Sequence, residues 1–403
     1  SKAIGGSGKQ RLTVKELTSW VNRELELEGD DKYAERTVCG WLHFLGYNVE
    51  TVRKRLYVDG HERPDVVADR ERFGQELDKV KPLLLTIDDE SLEIEPNPNA
   101  RYILVSQDEK IHHSNDVQKR YWSNGEFTAP FHKGSGRTVM TSDFMSEIFG
   151  FIKYSEDDDV VPGERVGSVL DVSTDGYYEN AQCRCDFAEC SEAVGTLGKG
   201  DLKCIFLTDN SPIHCKMAED ALNIKAMNVK PGGQQPRMRP GWYWKGKKKI
   251  NQPMVFPASH PVYPGQPKGL RQVVRERFGE DACRGLKHEG LVQLLSACED
   301  FRSQKTLLQE EAEARGDKVI YGVKFHPELA PIEAAYRSIA ERIRVSNTAG
   351  SSAGFKERVE NVQDESGLTL QLMRKFFRSS REYLRHYREG KSMKEIESLR
   401  SQK

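Results

Sequence analysis

The stretch Cys204-Ile205-Phe206-Leu207-Thr208-Asp209-Asn210 decides how this chain reads. Aliphatic, aromatic and β-branched residues run without a charge and stop on an acid. Bounded by polar residues, such a run is a buried strand, with Asp209 at its end. Upstream, Tyr102-Ile103-Leu104-Val105 reads the same way, with Asp108-Glu109 just past its end. Thr138-Val139-Met140-Thr141 and Phe149-Gly150-Phe151-Ile152 are two more strands, and Lys318-Val319-Ile320-Tyr321-Gly322-Val323 is the last clear one. Beyond it comes Lys324-Phe325-His326-Pro327-Glu328-Leu329-Ala330-Pro331-Ile332-Glu333, then a helix from near Pro331 to about Ile343. Residues 216–226 and 299–315 also read as helices. Strands and helices mixed in this order predict an α/β fold.

Three acids stand at or just past these strand ends or on the following helix: Asp108, Asp209 and Glu333. Acids so placed can converge on one point. Carboxylates packed together raise one another's pKa unless a cation lies between them. Their hard oxygens suit Mg²⁺ or Mn²⁺. Two such ions roughly 3.5–4 Å apart support in-line phosphoryl transfer, activating a nucleophile and stabilising a leaving oxygen. Glu328 competes with Glu333 as the third acid. Asp143, after a strand, is a candidate supporting residue. Glu156-Asp157-Asp158-Asp159 reads as a solvated acidic loop.

In front of the strands, Val14, Leu17, Trp20 and Val21 recur at the spacing of one helix face. Gly29-Asp30-Asp31 breaks that helix. A second follows, with Val38, Trp41, Leu42 and Leu45 inward, Glu35, Arg36, Thr37 and His43 outward, and Gly46 as its stop. Two short helices about a tight break make either a helix-turn-helix or an ordinary helical hairpin. In the next turn, Asp59-Gly60-His61-Glu62-Arg63-Pro64-Asp65, the clustered Asp, His and Glu read as solvated turn charges. Residues 69–80 read as a charged helix and 86–100 as an acidic, Pro-containing linker.

Lys and Arg number 61 against 62 Asp and Glu, a formal charge of -1. A uniformly basic or uniformly acidic chain is excluded, so contact with nucleic acid must come from local charge separation. Residues 228–275 provide it: no acid, and ten Lys and Arg, among them Arg237, Arg239, Lys247, Lys248 and Lys249, interrupted by Trp242-Tyr243-Trp244. Cations neutralise phosphates and release counterions, and aromatics stack on unpaired bases. Residues 346–356 form a Ser/Gly/Ala linker, and 370–403 a basic helical tail with ten Lys and Arg against four Glu.

The eight Cys are scattered, which points to a reducing, intracellular compartment. Cys183-x-Cys185 is tighter than the pairs of structural zinc sites and has no matching second pair, so no cysteine zinc site is expected. No apolar run is long enough to span a bilayer. Ser1-Lys2-Ala3-Ile4-Gly5-Gly6-Ser7-Gly8 lacks a signal-peptide core and an initiator Met, as expected for a fragment or processed product. Gly134-Ser135-Gly136-Arg137 lacks the Lys-Ser/Thr ending of a P-loop, so no nucleotide is expected.

Several of these stretches together resemble a known family. Ile103-Leu104-Val105-Ser106-Gln107-Asp108-Glu109, followed by Ser114-Asn115-Asp116 and Trp122, is similar to the first-aspartate region of DDE-type transposases. Phe206-Leu207-Thr208-Asp209-Asn210-Ser211-Pro212-Ile213-His214 resembles their second-aspartate motif, and Phe325 to Glu333 a mariner-like ending in which Leu-x-Pro-Ile-Glu supplies the third acid. Residues 57–67 and 227–236 are similar to a eukaryotic, fungal and protist branch of DDE superfamily endonucleases. The resemblance spans roughly residues 35–390.

It implies an RNase H-like catalytic core over residues 99–345 with an insertion at about 228–316. In front lie a helix-turn-helix unit, 10–56, and a connector, 57–98; behind lies the linker and basic tail, 346–403. It further implies cleavage of phosphodiester bonds at transposon ends and joining of the freed 3′-hydroxyl to target DNA. Asp108, Asp209 and Glu333 would hold two Mg²⁺ or Mn²⁺ ions, with Asn210 and His214 orienting. Double-stranded DNA is the expected partner. It would be met by Arg36 and Thr37 in front and by Arg237, Arg239, Trp242, Trp244, Lys247, Lys248 and Lys249 in the insertion. A homodimer or larger synaptic complex and, in a eukaryotic host, nuclear localisation follow. Two departures stand out: the long gap from Asp209 to Glu333, and Tyr336 where a Trp often follows the last acid. The alternatives are a domesticated, catalytically silent DNA-binding descendant and a nuclease that cuts without joining.

Overall fold

The computed structural model describes residues 14–45, 60–116, 134–158, 161–347, 353–364 and 367–401. Gly46, Asp59, Trp122 and Asp159 lie outside them. The chain divides into two units, residues 1–56 and 57–403.

In the first unit, α1 (Val14–Glu24) and α2 (Glu35–Phe44) flank a 3₁₀ turn at Gly29–Asp31. Asn22 closes the break: its side chain donates to the Tyr33 carbonyl at 3.0 Å and accepts from the Tyr33 amide at 2.8 Å. Tyr33 meets Trp41 edge to face, with centroids 4.6 Å apart. Val38 is buried as the spacing predicts, but Trp41 and Leu45 are exposed and Phe44 is 91% exposed. Arg36 and Thr37 are exposed in the first turn of α2.

The second unit opens with α3 (Pro64–Val80), started by Pro64 in its first turn, where the missing N–H costs nothing. The sheet follows: β1 (Tyr102–His113), β2 (Thr138–Ser146), β3 (Gly167–Asp171), β4 (Lys203–Thr208) and β5 (Lys318–Tyr321). Their order is β3-β2-β1-β4-β5, and β2 alone is antiparallel to the others. This is the RNase H-like arrangement. Of the expected strand at 149–152, only Gly150–Phe151 pairs, against the end of β2. At Gly167, with φ +131, a Cβ would strike the Ser142 carbonyl, so β3 can approach β2 only with glycine there.

Side chains alternate across the sheet. Ile103, Val105, Phe144, Cys204 and Phe206 face α4 (Asn180–Leu197), packing with Phe187, Cys183 and Cys190. Cys183 is therefore a core residue, and Cys185, two positions on, is exposed. Phe144, Phe187 and Phe206 meet as neighbouring rings. Each such fully buried Phe contributes roughly 1.5–3 kcal/mol. Val139 and Met145 face the opposite layer.

The segment between β4 and β5 builds its own core from Leu222, Met254, Leu270, Val274, Leu291 and Phe301. It holds α5 (Leu270–Phe278), α6 (His288–Ser296), α7 (Glu299–Arg302) and a hairpin, Gly241–Lys245 with Lys248–Gln252. The helix expected over 216–226 is reduced to a 3₁₀ turn at Ile224–Ala226, started by Asn223, which accepts from the Lys225 amide. The single helix expected over 299–315 is two. Thr306 forms a capping box with Gln309 and starts α8 (Leu307–Arg315) afresh. Phe301 thus joins the insertion's core, while Leu308 and Ala312 join the sheet's.

The last segment is not a peripheral tail. α9 (Pro331–Ser346), α10 (Phe355–Asp364) and α11 (Leu370–Arg388) form the second helical layer, burying Ile332, Tyr336, Ile339, Phe355, Met373 and Phe377 against Val139 and Met145. A final helix, α12 (Met393–Ser401), follows, burying Met393 and Ile396. α11 buries Met373, Phe377, Tyr383 and Tyr387, and Arg374 is buried beside them, donating to the Glu147 and Leu92 carbonyls. No helix among the described residues is long and apolar enough to cross a membrane.

Candidate active site

β4 pairs with β1 only as far as Ser106, while β2 continues to pair with β1 through His113. Asp108 therefore lies inside a long strand rather than past its end, just where its parallel neighbour stops. Open α/β sheets form their ligand crevices at that edge. Asp209 is the first residue after β4, and Glu333 lies in the first turn of α9. All three acids line one cleft of about 410 Å³, together with Phe73 of α3 and Lys324.

Strand parity divides the site. Asp108 shares its face with Lys110, which reaches Glu333 at 3.7 Å. Glu109 points the other way and meets His214 Nε2 at 3.0 Å, while His214 Nδ1 meets Asp209 Oδ1 at 2.7 Å. The Ser211 amide donates to the same Asp209 oxygen at 2.9 Å. His214 is thus a strut joining the end of β4 to β1. Thr208 Oγ1 lies beside its ring and donates to Gln107, which in turn donates to Glu109. Asn210 donates to the Gly322 carbonyl at 2.6 Å and ties the ends of β4 and β5 together. Glu109, which meets His214 here, carries no signal in the sequence beyond its place beside Asp108.

Electrostatics match a cation site. Burial, and then the charges of Glu333, Glu109 and Asp209, push the Asp108 carboxyl well above the usual carboxylate range. Burial works the same way on Asp209, but hydrogen bonds from His214 and Ser211 hold it below that range. Burial also opposes the His214 charge, yet its contacts with Asp209, Cys183 and Glu109 raise its pKa overall. Oxygen donors around one crowded, partly buried carboxylate fit Mg²⁺ or Mn²⁺.

Glu328 does not line this cleft. It is buried, accepting from Tyr387 at 2.7 Å and lying 2.6 Å from His326 Nδ1. Asp143, opposite Asp108 in the register, is occupied by Arg165 at 2.9 Å and Gln363 at 2.8 Å. Tyr336 is fully buried and donates to the Asp108 carbonyl at 2.6 Å. Tyr336→Phe should leave that carbonyl without its donor and cost about 1–3 kcal/mol, read as a lower urea midpoint.

In the insertion, Arg239 is a structural residue: its guanidinium is clamped by Asp220 and Glu310. Arg237, Lys247, Lys248 and Lys249 are exposed. A two-residue turn, Gly246-Lys247, with Gly246 at φ +64, puts the lysines at the hairpin tip. Trp242 and Trp244 share one hairpin face, with centroids 5.7 Å apart, and Lys249 covers Trp242 at 3.7 Å. Trp244 is 53% exposed and donates to Glu299.

No protein-family model and no curated protein matches the chain. Among solved structures it is similar to the Mos1 transposase paired-end complex with left transposon end, at 12% identity. The match covers 94% of this chain and 79% of that one, with a TM-score of 0.43. It is also similar to the Mos1 strand transfer complex, at 12% identity, with 95% and 78% covered and a TM-score of 0.42. The Mos1 mariner paired-end complex with Mn gives 11% identity, 95% and 79% coverage and a TM-score of 0.42.

Proposed function

We propose that this chain is a DDE-type DNA transposase: a metal-dependent endonuclease that cuts at transposon ends and joins the 3′-hydroxyl to target DNA. The observation that carries the reading is the meeting of Asp108, Asp209 and Glu333 in one cleft at the edge of an RNase H-like sheet. Asp108, Asp209 and Glu333 would hold two Mg²⁺ or Mn²⁺ ions, which supply a lowered water pKa and charge stabilisation at phosphorus. His214 and Glu109 orient Asp209, Asn210 holds the β4 end, and Tyr336 holds the backbone at Asp108. Lys110 and Lys324 place positive charge at the cleft, where a phosphodiester would enter.

Double-stranded DNA is the partner in this reading, met by Arg36 and Thr37 of the front unit and by the insertion's hairpin. The catalytic unit works as a homodimer or larger synaptic complex, in the nucleus if the host is eukaryotic. The test is joining of a pre-cut, labelled donor end to plasmid DNA with Mn²⁺. Joined product supports a transposase. Cutting without joining indicates a simple nuclease, and salt-sensitive DNA binding without either indicates a silent descendant.

The hairpin lysines provide a second check. Replacing Lys247, Lys248 and Lys249 together with Ala should weaken DNA binding alike for all sequences. The slope of log K against log salt should become shallower by up to about 3, near 0.9 for each phosphate no longer neutralised. Fluorescence anisotropy across a salt series measures both.

A further inference from the structure

His61, at the turn before α3, is not among solvated turn charges: it is fully buried against the loop that precedes Glu333. Its ring lies 4.1 Å from that of His326, and one donor atom from each of His61, His326 and Glu328 lies within 4.8 Å of the other two. All three residues are more than nine-tenths buried. Two polar atoms of the cluster, His326 Nε2 and Glu328 Oε2, have no hydrogen-bond partner among the described residues. Buried polar atoms are rarely left so without an ion or a water between them. The remaining contacts hold the cluster in shape. Tyr387 donates to Glu328 Oε1, and Arg70 lies over the Tyr387 ring at 4.5 Å with its charge met by Glu62. The backbone on both sides is constrained: Gly60 has φ +98, and a Cβ there would press on the Phe325 ring, while Phe325 itself has φ +66. An aromatic residue held at positive φ marks a place where surrounding structure overrides local preference.

We propose that His61, His326 and Glu328 form a zinc site, distinct from the acidic trio although His326 also lines the trio's cleft, that fastens the entry to α3 to the loop leading into Glu333. Two imidazoles and one carboxylate are a zinc donor set, and imidazole disfavours Mg²⁺ relative to zinc. Tyr387, donating to the carboxylate, orients it from outside the ligand set, as second partners of metal ligands do. The tie joins segments far apart in the chain, and its ligand His326 stands seven residues before Glu333.

The test uses the full chain, purified with Zn²⁺ and without chelator, then gel-filtered and assayed by atomic absorption. One zinc per chain is expected, both in the wild type and in Asp209→Asn. The stripped protein should take up Co²⁺ with visible absorption of four-coordinate strength and a raised melting temperature. His326→Ala and His61→Ala should lose the retained metal, and Tyr387→Phe should weaken it by about 10-fold or more. A wild type that retains no zinc and gives no cobalt spectrum overturns the site, whatever the variants do. So does metal lost in Asp209→Asn but kept in His326→Ala, which would place the ion at Glu109, Asp209 and His214 instead. Neither result bears on the acidic trio, whose own test is Mn²⁺-dependent joining.

Discussion

Asp209→Asn, Asp108→Asn and Glu333→Gln should each lower Mn²⁺-dependent plasmid nicking by about 10³-fold or more. A bound metal supplies several kcal/mol of charge stabilisation, and each 1.36 kcal/mol is tenfold in rate. Each substitution keeps the shape of the side chain and removes one charged oxygen donor. The three should therefore fold normally, with unchanged near-ultraviolet circular dichroism. Asp108→Asn carries a second signature. In the metal-free protein Asp108 sits near Glu333, Glu109 and Asp209, and its folded pKa lies above its unfolded one. The native state then binds more protons than the unfolded state once pH exceeds the ordinary Asp value of about 3.9, and stability falls as pH rises from there. Asp108→Asn removes that penalty, so the EDTA-treated variant should melt higher than EDTA-treated wild type at neutral pH. Added Mn²⁺ should raise the wild-type melting temperature by mass action and the variant's much less. Full nicking by Glu333→Gln would refute its role in the trio.

Asp300→Ala should have the largest effect on stability. Arg277 and Asp300 form a two-pronged pair, with oxygens at 2.7 and 2.6 Å and side chains only 0% and 1% exposed. Asp300 also accepts from the Trp242 amide at 2.9 Å, so it anchors the hairpin as well as the arginine. Removing one partner leaves a buried guanidinium without its counter-charge, which costs about 3–5 kcal/mol. Because the insertion has a core of its own, the loss should appear first there. Hydrogen exchange should speed over α5, α6 and the hairpin while β1 and β4 stay protected. A urea midpoint equal to wild type would show that the pair contributes little.

Much of this is legible along the chain. Asp209 and Glu333 follow from a strand end and a helix start; Asp108 follows the apolar run Tyr102 to Val105 but lies inside its strand, and the three line one cleft. The α/β mixture is readable because buried strands such as Cys204–Thr208 are continuous apolar runs with recognisable borders. The second half of β1 is not, since every residue from Gln107 to His113 except Ile111 is polar and the stretch is held in the strand by pairing with β2. The helix expected over 216–226 fails for the converse reason: contacts of Arg239 with Asp220 and of Asn223 with the Lys225 amide override its local preference. The C-terminal helices read as a basic tail because charge dominates their composition. Their apolar stripe, Met373 and Phe377 among it, can be placed only once the sheet offers a face to cover.

By itself the amino-acid sequence determined the apolar cores of the buried strands, the acids that follow those apolar runs, the Thr208-Asp209-Asn210 and Pro331-Ile332-Glu333 junctions and the acid-free segment. All of these are written in short-range pattern. Tertiary structure alone decided which of two glutamates reaches the cleft, because Glu328 is turned into the cluster with His326 and Tyr387. It also decided that Glu109 meets His214 while Asp143 is taken up by Arg165 and Gln363, that Arg239 is clamped while Lys247 is exposed, and that His61 is buried. The reason is that parity and burial depend on which partner strand or helix covers a residue, and those partners can be distant along the chain: His61 and His326 are 265 positions apart.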